Sequence, residues 1–133
     1  MNAFIIELEN RPGTLADIAD AIAEKGINVA GVAGAAASAG SSAVAIVTND
    51  EAGTRSALDA TSARYREVAL AMASLDDKPG VLADVARKLA NAGINIEAIF
   101  PTGMEGGKIT VAFGVDNIEA AKAALSQYVG ASA

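Results

Sequence analysis

Shifted along itself by 67 positions, from Pro12-Gly13 to Pro79-Gly80, this 133-residue chain repeats itself without a gap. The same shift carries Leu15-Ala16-Asp17 onto Leu82-Ala83-Asp84 and Gly26-Ile27-Asn28 onto Gly93-Ile94-Asn95. It also pairs Gly40 with Gly107, Val44-Ala45 with Val111-Ala112, and Ala57-Leu58 with Ala124-Leu125. Chance does not hold one register that far. Two copies are too few for a solenoid, and each is the size of a minimal two-layer fold. The chain therefore reads as two like domains, 1–67 and 68–133.

Each copy changes hydrophobic period in the same order. Phe4, Ile6 and Leu8 alternate with Ile5 and Glu7, which predicts a strand ending at Asn10, and Leu70 to Leu75 repeats it. Leu15, Ile18, Ala19 and Ile22, matched by Leu82, Val85, Ala86 and Leu89, then recur at helical spacing and make one apolar stripe per copy. Pro12 and Pro79 are expected at the helix starts, where a missing N–H is harmless, with Asp17 and Asp84 near the first turn and Gly26 and Gly93 as stops. Ile-Asn opens a second strand, a turn follows (Gly34 to Ser42; Gly103 to Gly107), and a third strand comes after it. In copy two, Ile109, Val111, Phe113 and Val115 face one way and Thr110, Ala112 and Gly114 the other. A second helix is expected to be capped by Asp116 with Glu119 three residues on, and in copy one by Asn49 or Asp50.

The order β-α-β-β-α with a possible fourth strand is the split βαβ arrangement, an α+β fold with one antiparallel sheet and two helices on one face. Tyr65 to Leu75 is expected to run from the last strand of copy one into the first of copy two with hardly a linker. Copy two has only Val129 to Ala133 for its last strand, which is expected short or missing. On the side away from the helices, Ile5, Leu70, Met72, Ala45, Val47 and Ala112 include few polar residues, so that face is expected to be covered, with a homodimer as the economical answer.

Composition narrows the chemistry. The chain has no cysteine and no histidine, which removes thiolate and imidazole catalysis, disulfides and the common zinc sites. Ten Lys+Arg against 16 Asp+Glu give a net charge of −6, the wrong sign for a nucleic-acid footprint or an anionic membrane surface. The start, Met1-Asn2-Ala3-Phe4-Ile5-Ile6-Glu7, has no basic stretch and meets acid early, so no signal sequence is read and a cytoplasmic location is expected. Ile27 to Asn49 carries no charge over a length that would cross a bilayer, yet it is mostly Gly, Ala and Ser and reads better as a turn between strands.

The strongest constellation is Asn10-Arg11-Pro12-Gly13-Thr14-Leu15 with Gly26-Ile27-Asn28-Val29, repeated as Asp77-Lys78-Pro79-Gly80-Val81-Leu82 with Gly93-Ile94-Asn95-Ile96. Each loop joins a strand to a helix start, where unpaired N–H groups and the positive end of the dipole suit a carboxylate. Asn10, Asp77, Asn28 or Asn95 would accept from an ammonium group. Local chemistry leaves a second reading open, in which Pro-Gly is only a helix start and Gly-Ile-Asn only a stop with a turn.

The whole pattern, strand, (Asn/Asp)-(Arg/Lys)-Pro-Gly-(Thr/Val)-Leu-Ala, amphipathic helix, Gly-Ile-Asn-(Val/Ile), strand-turn-strand and Asp-capped helix, resembles the ACT domain, a small-molecule-binding regulatory module, twice over. Covering nearly the whole chain, it is similar to stand-alone tandem ACT proteins. The resemblance implies two ferredoxin-like βαββαβ domains, dimers of paired domains, and amino acids bound at domain interfaces by the strand–helix loop and the start of the second strand. By position the implied ligand-binding residues are Asn10, Pro12, Gly13, Thr14, Leu15 and Asn28 in copy one, and Asp77, Pro79, Gly80, Val81, Leu82 and Asn95 in copy two. The chain departs from the pattern in a bare, Gly/Ala-rich Gly31 to Ser42 and in Asp77 where copy one has Asn10, so the two sites need not bind alike.

Other signals are weaker. Gly103-Met104-Glu105-Gly106-Gly107-Lys108 fails the Walker spacing, with Ile109 after it and a strand next, and reads as a hairpin turn. Asp76-Asp77 lacks a third metal ligand and diverges as adjacent residues do, so neither a metal nor catalysis is assigned there. No cofactor is expected. The chain is read as a non-catalytic regulatory module that binds an amino acid and signals to a partner in trans. The alternative is an assembly protein whose domains bind a partner enzyme or regulator with empty loops.

Overall fold

The computed structural model describes residues 1–129. The chain forms two compact units, one spanning 2–67 and the other running from Val68 onward. The first contains β1 (Asn2–Glu9), α1 (Thr14–Ala23), β2 (Val29–Ser38), β3 (Ser41–Thr48), α2 (Glu51–Ala60) and the start of β4 (Arg64–Asp76), in the sheet order β2-β3-β1-β4. The second takes the rest of β4, then α3 (Val81–Asn91), β5 (Ile96–Glu105), β6 (Lys108–Val115) and α4 (Ile118–Ala124), in the order β4-β6-β5. The strand pairs β1/β3, β2/β3, β4/β6 and β5/β6 are antiparallel. The described chain ends in a 3-10 turn, Ser126–Tyr128, and Val129. The short or missing last strand expected over Val129 to Ala133 falls mainly on residues 130–133, outside the described residues.

The periodicities put the right side chains inside. In the first unit Phe4 and Ile6 of β1, Ile18 and Ile22 of α1, and Ala57 and Leu58 of α2 make one buried cluster. In the second, Ala71, Ala73 and Leu75 of β4 meet Val85 and Leu89 of α3, Val111, Phe113 and Val115 of β6, and Ala121 of α4. Each of the larger side chains contributes on the order of 1.5–3 kcal/mol by leaving water. Arg55 of α2 forks onto Glu67 of β4 through two 2.7 Å hydrogen bonds, which hold the Glu67 carboxyl below its ordinary range.

Several local expectations move. Leu15 and Leu82 belong to the apolar stripes by spacing, yet they are 50% and 55% exposed, because each lies in the first turn, beyond the packed part of its helix. Ala19 is exposed as well. Pro12 and Pro79 precede the helices, whose N-caps are Gly13 and Gly80. The segment Gly34 to Ser42 is not a long turn: β2 continues to Ser38, and only Ala39-Gly40 turns the chain. Backbone pairing of Val32 with Ile46, Ala33 with Ala45 and Ala35 with Ala43 extends a strand that its small side chains do not announce. The counterpart turn shrinks to Gly106-Gly107. Asp116 does not cap α4; Asn117 does, accepting from the Ala120 N–H at 3.1 Å.

Leu70, Ala45, Val47 and Ala112 lie outside both helix-side clusters and are nonetheless buried, while Ile5 and Met72 are half-buried. The uncharged Ile27 to Asn49 stretch supplies the β2–β3 hairpin, and among the described residues no helix is long and apolar enough to cross a membrane.

Candidate functional site

The two strand–helix loops have the same backbone. After β1, Asn10-Arg11-Pro12 leads to Gly13 at φ 94° and ψ −15°; after β4, Asp77-Lys78-Pro79 leads to Gly80 at φ 90° and ψ −16°. An L side chain in that left-handed region costs roughly 1–2 kcal/mol, so glycine is what the turn into the helix requires. Neither α1 nor α3 has a side-chain cap. The other two helices do: the Asp50 carboxylate accepts from the Gly53 N–H at 2.9 Å, and the Asn117 amide caps α4. Among the described residues the four α-helices thus divide into two with closed N-termini and two whose first-turn N–H groups, at the positive end of the dipole, have no protein side chain on them.

The loops share one backbone bond to the hairpin beside them, Asn10 N–H on the Gly40 carbonyl at 3.5 Å and Asp77 N–H on that of Gly107, and differ in what reinforces it. In copy one the Asn10 amide donates to the carbonyls of Ser38 and Ala39, at 3.3 and 3.2 Å. The Thr14 hydroxyl, near the carbonyls of Glu9 at 2.9 Å and Arg11 at 3.2 Å, braces the turn from within. The Asp77 carboxylate has no hydrogen to donate; there the tie is the Asp77 N–H on the Gly107 carbonyl at 2.9 Å, reinforced by Lys108 Nζ on Asp76 at 2.6 Å. Hydrogen bonding and charge from Lys108 hold the Asp76 carboxyl below its ordinary value. Arg11 pairs with Glu9 at 2.6 Å, and that bond and charge raise the guanidinium further.

Beside each loop lies an open groove, of about 410 Å³ in copy one and about 280 Å³ in copy two. The far wall comes from the hairpin: Val32, Gly34, Ser42 and Val44 in the first, and Ile99, Pro101, Ile109 and Val111 in the second. These are the same positions of the repeat. Leu15 and Leu82 project at the two rims. Of the sequence-predicted residues, Asn10, Gly13, Thr14 and Leu15 line the first groove, and Asp77, Val81 and Leu82 the second. Pro12, Pro79 and Gly80 shape the loops without lining either groove. The hairpin residues are what sequence reasoning missed, and the only signal for them was the charge-free, side-chain-poor run before Asn49.

Asn28 and Asn95 sit elsewhere. The Asn28 N–H donates to Asn49 Oδ1 at 3.1 Å, and the Asn49 N–H returns a bond to the Asn28 carbonyl at 3.2 Å. Asn95 and Asp116 repeat the exchange at 3.0 and 3.4 Å, which is why Asp116 is not available to cap α4. The ten residues of β2 separate Asn28 from the Asn10 end of the hairpin. At about 3.3 Å per residue that is on the order of 30 Å. A small ligand in one groove does not reach the asparagine of its own unit.

The ACT domain model matches residues 3–64 and again residues 70–129. The chain belongs to the ACT domain family. Its two tandem ACT domains are α+β and ferredoxin-like, and the family supports a regulatory, small-ligand-binding role. A crystal structure of a protein from Bacteroides thetaiotaomicron is similar over 95% of this chain and 86% of that one, with TM-score 0.76 and 21% identity. The regulatory subunit of aspartate kinase from Thermus thermophilus, in ligand-free form, matches over 97% and 91% of the two chains, with TM-score 0.66 and 23% identity. Its counterpart from Thermus flavus matches over 96% and 92%, with TM-score 0.66 and 24% identity. These likenesses concern the fold of the tandem ACT pair. Among curated proteins none matches the sequence significantly.

Proposed function

We propose that this tandem ACT protein is a non-catalytic regulatory module that binds an amino acid at its loop-and-hairpin grooves and passes the signal to a separate partner. The observation that carries the reading is the contrast among helix N-termini: α2 and α4 are closed by side chains, whereas α1 and α3, the two beside grooves, are left open. An open N-terminus holds a carboxylate with backbone N–H groups, and a groove alongside receives the rest of a small zwitterion. The binding residues of the proposal are Asn10, Pro12, Gly13, Thr14 and Leu15, and Asp77, Pro79, Gly80, Val81 and Leu82. Asn28 and Asn95, which precede β2 and β5, enter it only as marks of the end away from the grooves. Signalling to a kinase-like partner follows the pattern that the aspartate kinase regulatory subunits suggest, and a homodimer is part of the same reading.

The test is a thermal-shift screen of the protein against the twenty amino acids at millimolar concentration, repeated with Gly13→Leu and Gly80→Leu. A ligand at about 100 times its Kd adds roughly 2.7 kcal/mol, a rise of several degrees in a domain of this size. The expected result is a shift for one chemically related group, lost in one or both glycine variants. A flat panel overturns the reading. It would favour the assembly role, for which the exposed Leu15, Leu82, Val32 and Ile99 beside the grooves provide the contact surface.

A further inference from the structure

The two grooves occupy the same positions of the repeat and are lined by different chemistry. Where copy one has Thr14, copy two has Val81; Ser42 becomes Ile109, Gly34 becomes Pro101, and Val32 becomes Ile99. Phe100 also borders the second groove. Every one of these exchanges enlarges or dries the wall, and the space narrows from about 410 to about 280 Å³. That is just below the usual size of a drug-sized pocket and suited to a single amino acid.

The rims differ too. In copy one the Asn10 amide is tied to hairpin carbonyls and Arg11 to Glu9 at 2.6 Å. In copy two the Asp77 side chain makes no hydrogen bond or ion pair among the described residues, and the ammonium of Lys78 stands 3.9 Å from Asp76, a loose pairing at 65% exposure. The second rim therefore presents one anionic and one cationic group of limited engagement above an apolar wall. A zwitterion with a hydrocarbon side chain complements both parts at once: the ammonium faces Asp77, the carboxylate faces the uncapped N-terminus of α3 with Lys78 beside it, and the side chain lies against Ile99, Ile109 and Leu82.

Resting on the function proposed above, we infer that the second groove is the apolar-side-chain subsite of this protein, selecting free amino acids such as leucine, isoleucine or phenylalanine. The first, with its hydroxyls and bare glycine, does not retain them. The split is a property of the hairpin walls, since the loops are alike in backbone.

Titration calorimetry with leucine and phenylalanine, and with serine and threonine as the polar pair, tests this on the whole chain. One equivalent of leucine or phenylalanine per chain is expected. Ile109→Ser should weaken it by tenfold or more, the scale set by methylene-sized losses in a hydrophobic pocket. Leu82→Asn, at an exposed position, should weaken it in the same direction and serves where Ile109→Ser fails to fold. Binding of serine or threonine alone, or leucine binding indifferent to both wall variants, overturns the apolar subsite while leaving an amino-acid sensor intact. Absence of binding by any of the twenty amino acids overturns the sensor as well.

Discussion

Thr14, Gly34 and Ser42 surround the groove of the first unit with small or hydroxylated groups, whereas Val81, Pro101 and Ile109 fill the corresponding places in the second. The frame around them is the same in both: a strand end, a left-handed glycine at φ 94° or 90°, an uncapped helix and a hairpin whose tip is tied to the loop. Backbone geometry fixes where a ligand would lie, and the side chains of the walls are left to decide which one. The repeat thus presents two versions of one groove rather than two equal grooves.

The largest expected effect tests whether the copies are equal away from the grooves. Phe4 and Phe113 are both fully buried at the centres of their clusters. Truncation of either to alanine should cost about 3–5 kcal/mol, read as a loss of urea midpoint. A strongly unequal pair would show that the difference between the units reaches their cores. Next come Gly13→Leu and Gly80→Leu, each expected to cost roughly 1–2 kcal/mol from the left-handed backbone. Equal losses in denaturant titrations would confirm that the loops are interchangeable, and a cost at one position only would break that equivalence.

Thr14→Val should lose about 0.5–1.5 kcal/mol with the loop-bracing hydroxyl, while Val81→Thr should not recover as much, because the second loop is held by other bonds. The smallest effect concerns acid. The Asp76 carboxyl, lowered from 3.8 by Lys108, contributes stability that is present above that ordinary value and lost as pH falls through the depressed one. Lys108→Gln should flatten this part of the acid limb in urea unfolding followed at a series of pH values. The corresponding position of the first unit is Ser41, so Ser41→Ala should leave the limb as it is.

What was legible in the sequence is what local pattern controls. The repeat itself, the alternation of Phe4 and Ile6, the spacing of Ile18 and Ile22 and the helix stops at Gly26 and Gly93 are short-range signals, and each appears where its period places it. The length of β2 was not legible, because Gly, Ala and Ser carry no facing pattern and its extent is set by its ladder to β3. The α4 cap falls one residue past Asp116, since Asp116 and Asn117 are both good caps and the distant Asn95 N–H engages the Asp116 side chain. Leu15 and Leu82 fit the helical stripe in period, but their exposure depends on where the core ends. The groove walls are non-local altogether, joining residues from opposite sides of a hairpin to a loop some 20 to 30 positions away.

The strand Arg64–Asp76 has a practical corollary for anyone wishing to take the molecule apart. Its thirteen residues serve both units in succession, so the junction at Glu67 and Val68 falls inside a strand and not in a tether. A protease meets extended, paired backbone there rather than a loop tip, and a gene cut at that point divides a strand. The halves are better treated as one inheritable cassette. Separate study of either groove calls for point substitutions at its walls in the intact chain.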